Sequence, residues 1–287
     1  MKQLLILIMT LTALYASKIE LEVLGSGGPE LDARASTSYL LWIDNKARLI
    51  VDMGSGSMLR FEESNAELET LDAVVLTHLH IDHSVDLPSF VKAGYFSQRT
   101  ESLDIIGPDS NWYFPSTTDF VDALFGSSGA YRYMKDILEE KNDSFQIIAF
   151  DIDEKTTKEY KHFKLTMIPV HHGIVPALAL KIDVEGKSII ISGDTNNKDK
   201  TLQNLAKDAD LFVAHHAIPE YARGYATELH MTPSIIGQVA KEANVKKVLL
   251  THRMKRTIGS EKESLKEIKK FYKGIVLFAE DRMKVAL

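Results

Sequence analysis

Thr77-His78-Leu79-His80-Ile81-Asp82-His83 follows the apolar run Ala73-Val74-Val75-Leu76. That run reads as a short buried strand. Behind it stand four side chains of metal-ligand type, at positions 78, 80, 82 and 83. In extended chain, residues i and i+2 project to the same side, so His78 and His80 converge on one ion. Asp82 and His83 lie one step further and can serve a second. A lone histidine is most often a satisfied core or surface residue. Four such groups directly after a strand exceed what packing requires, and neutral imidazole is the commonest metal ligand.

The chain around this cluster has 287 residues, 45% hydrophobic and 26% charged, as ordinary soluble domains are. That length can bury one sizeable core, and no linker or composition shift divides it. A net charge of -6 weighs against a nucleic-acid partner, since such proteins usually present a basic face. Cysteine is absent, so any metal is held by nitrogen and oxygen.

The first residues stand apart. Met1-Lys2 gives a positive start, Leu4 to Leu14 is almost wholly apolar, and Tyr15-Ala16-Ser17 offers small residues for cleavage. The segment falls short of the roughly 20 apolar residues that span a bilayer, and reads as a bacterial secretory signal over 1–16. Leu14 spoils the small-x-small pattern before Ala16, which leaves a retained anchor as the alternative. Cleavage would leave one domain over 17–287, periplasmic or secreted, with no membrane attachment.

Downstream, Ile19 to Leu24 largely alternates apolar and charged residues and is broken by Gly25-Ser26-Gly27-Gly28-Pro29, a loop able to approach an anion. Tyr39 to Ile43 and Arg48 to Val51 form a hairpin around Asp44-Asn45-Lys46 that leads into Asp52. Leu87 to Phe96 reads as a helix and Leu103 to Ile106 as a strand stopped by Gly107-Pro108. The aromatic-rich stretch 111–142 is either a helical pair or a wall beside the metals, hinged at Gly126 to Gly129. Strands follow at 145–150, 163–170, 177–182, 188–191, 211–214 and 247–252, then a helix over 260–272 and a last central strand at 275–279. Thr232-Pro233 opens the intervening helix.

Five of these strands finish in or just before a histidine or aspartate, at His78, His172, Asp194, His215 and His252. Ligands in α/β sheets gather at the carboxyl ends of strands. His78-x-His80-x-Asp82-His83, His172, Ser192-Gly193-Asp194-Thr195 and Leu250-Thr251-His252 together resemble the ligand motifs of the metallo-β-lactamase superfamily, over the chain from about Leu21 to its end. Within it the chain is most similar to the ribonuclease Z and arylsulfatase-like branch. His172-Gly173-Ile174-Val175-Pro176-Ala177-Leu178-Ala179-Leu180 resembles the arylsulfatase-like His-Gly-x-x-Pro-Ala-x-Ala-Tyr segment.

The resemblance implies an α/β fold, a four-layer αβ/βα sandwich with metals at one edge. It implies that His78, His80 and His172 hold one divalent ion, that Asp82, His83 and His252 hold another, and that Asp194 bridges them. Zinc suits these ligands, and two ions roughly 3.5–4 Å apart can activate water and polarise a scissile group. Asp52 corresponds to an early aspartate that orients loop and ligands. Asp82 and His230 are the catalytic candidates. His230 precedes Met231-Thr232 where ribonuclease Z has His-Ser-Thr, and it would protonate a leaving oxygen or hold its negative charge. His215-His216-Ala217-Ile218 stands where that family has His-Glu-Ala-Thr, so His216 replaces the glutamate. His171 is set aside as a ligand, because the family's ligand directly precedes the glycine, and His162 as solvated.

Between His172 and Asp194 there is room for one hairpin and no tRNA-clamping arm. With the acidic charge and the signal, this favours an exported hydrolase of a small anionic or aryl ester, sulfate esters first, with Arg34 and the Gly25–Gly28 loop as anion-binding candidates. The alternatives are a phosphodiesterase or ribonuclease Z-like nuclease, and a non-catalytic binding protein on the same scaffold. The sequence leaves oligomeric state open; a homodimer is suggested by analogy with relatives alone.

Overall fold

A computed structural model describes residues 17–139 and 145–287. The expected signal over 1–16 lies outside the described residues. Among them no helix is long and apolar enough to cross a membrane.

The chain first lays down strands β1 (Ile19–Gly25), β2 (Ser38–Ile43), β3 (Lys46–Val51), β4 (Ala73–Val75), β5 (Leu103–Pro108) and β6 (Ile147–Ile152) side by side in that order. A second sheet follows, of β7 (Thr156–Glu159), β8 (Lys164–His172), β9 (Val175–Val184), β10 (Lys187–Ile191), β11 (Leu211–His215), β12 (Lys247–Thr251) and β13 (Ile275–Phe278). The last strand, β14 (Lys284–Ala286), returns to the first sheet beside β1. On the first sheet's outer face lie α1 (Ser57–Glu63), α3 (Leu87–Gly94) and α4 (Thr117–Phe125), while the single-turn α2 (Ile81–Ser84) sits at the sheet's edge with Asp82 and His83. The second sheet carries α5 (Thr201–Leu205), the short α6 (Ala226–Leu229), α7 (Pro233–Glu242) and α8 (Glu261–Phe271).

Three apolar layers join these parts. Leu21, Val23, Leu41, Leu49, Val51 and Val75 face Leu165, Met167, Leu180, Ile182, Ile191 and Val213 between the sheets. Their alternate neighbours, such as Leu40, Ile50 and Val74, face α1, α3 and α4. Ile190, Phe212, Val248 and Leu250 face α5, α7 and α8 in the same way. Strands buried on both faces read as continuous apolar runs. Helix, sheet, sheet, helix is the expected four-layer α/β sandwich.

Local chemistry accounts for the connections. Asp44 and Asn45 both take left-handed backbone, φ 51° and 60°, which the two-residue turn of the β2–β3 hairpin requires. Pro233 sits in the first turn of α7, but Thr232 does not cap it; the Glu220 carboxylate accepts from the Ser234 backbone instead. Three differences from the sequence reading have physical reasons. Strand β13 pairs only with β12 and forms a sheet edge, not a central position. Strands β7 and β14 carry no apolar run, being the polar Thr156-Thr157-Lys158-Glu159 and a three-residue edge. The second half of the 111–142 segment is a 3-10 turn over Arg132–Leu138 rather than an α-helix.

Strands β10, β11 and β12 run parallel, and β8 runs parallel to β10 through the antiparallel β9. The carboxyl ends of β8, β10, β11 and β12 therefore meet at one edge. The ends of β3 and β4, parallel in the other sheet, abut the same edge through the Leu178 N–H to Thr77 O bond of 2.8 Å.

Leu180 lies fully buried on β9 between the sheets. Leu180→Ala is expected to cost about 2–5 kcal/mol, read as a lower urea midpoint at unchanged slope.

Candidate metal centre

Each strand end delivers its side chain for a local reason. Asp52 follows β3 in left-handed backbone, φ 62°, and its N–H donates to Val75 O at 2.7 Å. That bend turns the carboxylate towards the end of β4. There Oδ1 accepts from the Thr77 N–H at 2.6 Å, while Oδ2 accepts from the Thr77 hydroxyl at 2.9 Å and faces His83 Nδ1 at 2.8 Å. One fully buried carboxylate thus holds both the loop and a histidine ring. His252 ends β12 with the same kind of bend, φ 51°. Gly193 takes φ 56°, and a side chain there would fall 2.3 Å from Leu178 O, so only glycine lets β10 turn Asp194 inward.

All seven expected ligands converge. Nitrogens of His78, His80 and His172 lie within 4.8 Å of one another, as do atoms of Asp82, His83 and His252. Asp194 joins the two groups. Its Oδ2 has His252 Nε2 at 3.4 Å, His172 Nε2 at 3.7 Å, and His78 Nε2, His83 Nε2 and His230 Nδ1 each at 3.8 Å. Asp82 Oδ2 lies 3.4 Å from His252 Nε2 and 3.6 Å from His83 Nε2.

The donor set fits divalent metal. His83 Nε2, His172 Nε2, His230 Nδ1 and His252 Nε2 are buried without a hydrogen-bond partner, around one anionic oxygen. Buried polar atoms left in that state are costly unless a cation takes them. The opposite ring nitrogens are occupied: His83 Nδ1 faces Asp52, and His172 Nδ1 faces Leu229 O at 2.9 Å. Such partners orient a ring and leave Nε2 for the ion.

Electrostatics point the same way. Burial opposes the Asp194 charge, yet the imidazoles around it, His252 and His230 foremost, hold its carboxyl well below the usual range. Burial would also lower His83, but the carboxylates of Asp52 and Asp82 outweigh it and raise the ring to about 9. Burial pushes His78, His80 and His172 down. A cluster of three buried carboxylates and this many imidazoles is matched by positive charge at its centre.

Other candidates fall differently. His230 is buried at the end of α6, next to the Leu229 carbonyl that holds His172; burial pushes its ring down to about 3. His171 alternates with His172 along β8, so its side chain leaves by the opposite face. His216 points away from the centre, with Nε2 2.9 Å from the Ser264 hydroxyl of α8, and does not partner His230. Arg34 is engaged by Asp32 and Glu280 at 3.9 and 3.5 Å. The N–H groups of Ser26 and Gly27 donate to Asp281 and Ala35, so the glycine loop is no open anion cradle. It backs the centre instead: a side chain at Gly28 would meet the His252 ring at 3.0 Å.

Two contributors were absent from the expected site. His215 ends β11 with Nδ1 2.7 Å from Asp194 Oδ1, and its Nε2 lies 2.9 Å from the fully buried Tyr39 hydroxyl. The strand-end pattern had marked His215, but nothing in sequence linked it to Tyr39. Arg256, four residues past His252, is exposed, donates from Nε to Ala217 O at 2.6 Å and feels the charges of Glu30 and then Asp194.

A sequence profile of the beta-lactamase superfamily domain matches residues 48–253. The ribonuclease Z of Archaeoglobus fulgidus is 25% identical over 82% of this chain and 87% of its own length. Among solved structures, the metallo-beta-lactamase fold protein YhfI from Bacillus subtilis superposes with a TM-score of 0.76 at 22% identity, covering 95% of this chain and all of that one. The short form of human tRNase Z gives 0.69 at 19%, over 93% and 98%. Similarity to relatives named ribonuclease Z overturns the expectation that weighed against nucleic acid as a partner. The physical reason is that a net charge of -6 sums the whole surface, whereas phosphate responds to the local field, and here metal ions would set it.

Asp52→Asn is expected to keep the fold and weaken metal affinity about 10–100-fold, measured by competition with a chelator. His216 offers a second check away from the centre. Burial lowers its ring to about 4 from 6.5, so between those pH values the unfolded chain binds a proton that the folded one refuses. Stability therefore falls as pH falls through that window. In His216→Gln, unfolding by urea should show a smaller loss between pH 7 and 5 than in the parent.

Proposed function

Because the chain belongs to the beta-lactamase superfamily, whose fold it shares and whose metal-dependent hydrolase chemistry its site repeats, we propose that it is a phosphodiesterase acting on RNA. The observation that carries the reading is a complete two-centre donor set joined by Asp194, in a chain similar over most of its length to ribonuclease Z. Sulfate esters, the leading expectation from sequence, give way to phosphodiesters on that similarity. The seven expected ligands are proposed to hold two ions, zinc by preference for nitrogen and oxygen donors of this kind. When bound, the metal polarises a phosphoryl oxygen and lowers the pKa of water.

The chain's own groups do the rest. Asp52, Leu229 O and Thr77 hold the ligand rings in place. The Tyr39–His215 pair takes up the Asp194 oxygen that faces away from the centre. His230 presents a ring nitrogen without a protein partner beside Asp194, where it can hydrogen-bond the leaving oxygen as negative charge develops. Arg256 adds a fixed cation at that side of the site, suited to a non-bridging oxygen. Strands β9 and β10 use up the chain between His172 and Asp194, so the substrate is gripped close to the metals. Export through residues 1–16 remains our proposal for where the enzyme works; the mature N-terminus, read by sequencing, tests it.

Metal-loaded protein is expected to cleave a short RNA and a simple phosphodiester, and to cleave aryl sulfates more slowly. A chelator should abolish all of it. His80→Ala should lose metal and activity together, whereas His230→Ala should keep metal and lose about 100-fold or more in kcat. Faster aryl-sulfate than phosphodiester hydrolysis would sink the reading.

A further inference from the structure

We propose that Trp112, Tyr113 and Phe114 form a stacking platform for the bases of single-stranded RNA entering the metal centre. The proposal rests on the phosphodiesterase reading and names the subsite that reading lacks.

The three aromatics are consecutive in the loop between β5 and α4. Trp112 is 83% exposed and Tyr113 64%. Burial of such rings is strongly favourable, so their exposure is not explained by packing. Nor is the loop slack. The Asn111 side-chain oxygen accepts from the Tyr113 and Phe114 N–H groups, both at 2.8 Å, and the Asn111 N–H donates to Phe114 O at 3.0 Å. The Asn111 side-chain nitrogen then donates to Ile174 O at 2.7 Å, two residues beyond His172. The loop is thereby tied to the strand turn that carries a metal ligand. A side-chain amide that closes its own turn fixes the backbone locally.

The rings form a path outward from the centre. Phe114 lies 6.0 Å from the His80 ring, Tyr113 is 5.4 Å beyond, and Trp112 another 5.3 Å. Successive rings are tilted by 62° and 67°, edge to face rather than stacked, and the exposure of Trp112 and Tyr113 leaves ring surface open to solvent. Open aromatic faces in a row beside a phosphate-handling centre match a single strand, whose bases splay while its backbone passes the metals. Every base has a π face, so the platform tolerates any sequence. It also supplies near the metals the grip that the absent arm would otherwise provide.

The test uses the metal-loaded full chain, single-stranded oligoadenylate of about ten nucleotides, and methyl 4-nitrophenyl phosphate. Of the two tryptophans, Trp42 is buried on Glu22, so fluorescence quenching by the oligonucleotide reports Trp112. The expected results are quenching in the parent, and, in the double variant Trp112→Ala, Tyr113→Ala, a rise in oligonucleotide KM of about tenfold or more with little change in kcat. The loss on the small ester should be several-fold smaller. A misfolded variant would lose both substrates alike, and Trp112→Phe should then restore the oligonucleotide KM. Unchanged KM with no quenching overturns the platform, as does a variant that changes only the oligomeric state. If the parent cleaves neither substrate, the phosphodiesterase reading fails, and quenching alone decides the platform.

Discussion

One buried carboxylate oxygen organises this protein. Asp194 Oδ2 has five imidazole nitrogens around it at 3.4 to 3.8 Å, from His78, His83, His172, His230 and His252. Two of those residues belong to the first sheet's edge and three to the second's. The centre exists only where the sheets close on each other, and the apolar layer between them brings it into being. Hydrophobic burial supplies the driving force; a bound cation would offset the cost of burying the polar atoms.

The surrounding groups show how the site is kept in register. Asp52, Thr77, Leu229 O and His215 touch candidate ligands or the Asp194 carboxylate, and Tyr39 holds His215 in turn, so the atoms that face away from the candidate metal site are occupied. Left-handed backbone at Asp52, Gly193 and His252 turns three strand ends into the same space. Non-glycine residues in that conformation carry strain, which persists here because packing and hydrogen bonds over-determine it. Rigid strand ends suit a centre whose ligands must hold their places while charge moves.

Around this core, recognition is carried by shorter, more exposed segments. The 111–114 turn and the α6 region flank the turn after His172, one bearing Trp112 and Tyr113, the other Tyr225 and His230. One is anchored to Ile174 in that turn and the other to His172 at the end of β8, so changes in what the enzyme grips need not disturb how it would hold metal.

Much was legible in the residues themselves. The ligand cluster after Val75 and the repeated strand-end histidines and aspartates follow from short-range pattern, ligand types at the ends of apolar runs, and the αβ/βα layering was implied by the family resemblance those motifs carry. Asp52 was legible as an orienting group. What tertiary structure alone decided was orientation across the chain. Period-two alternation separates His171 from His172, but only the packing of α8 turns His216 to Ser264 and away from His230. Only the meeting of β2 with β11 joins Tyr39 to His215, and only the 111–174 hydrogen bond places an aromatic turn beside the candidate metal site. Local sequence determines which side chains a strand end can offer. Which of them share one small volume depends on contacts between residues far apart in the chain, and these are set when two sheets bury a common core.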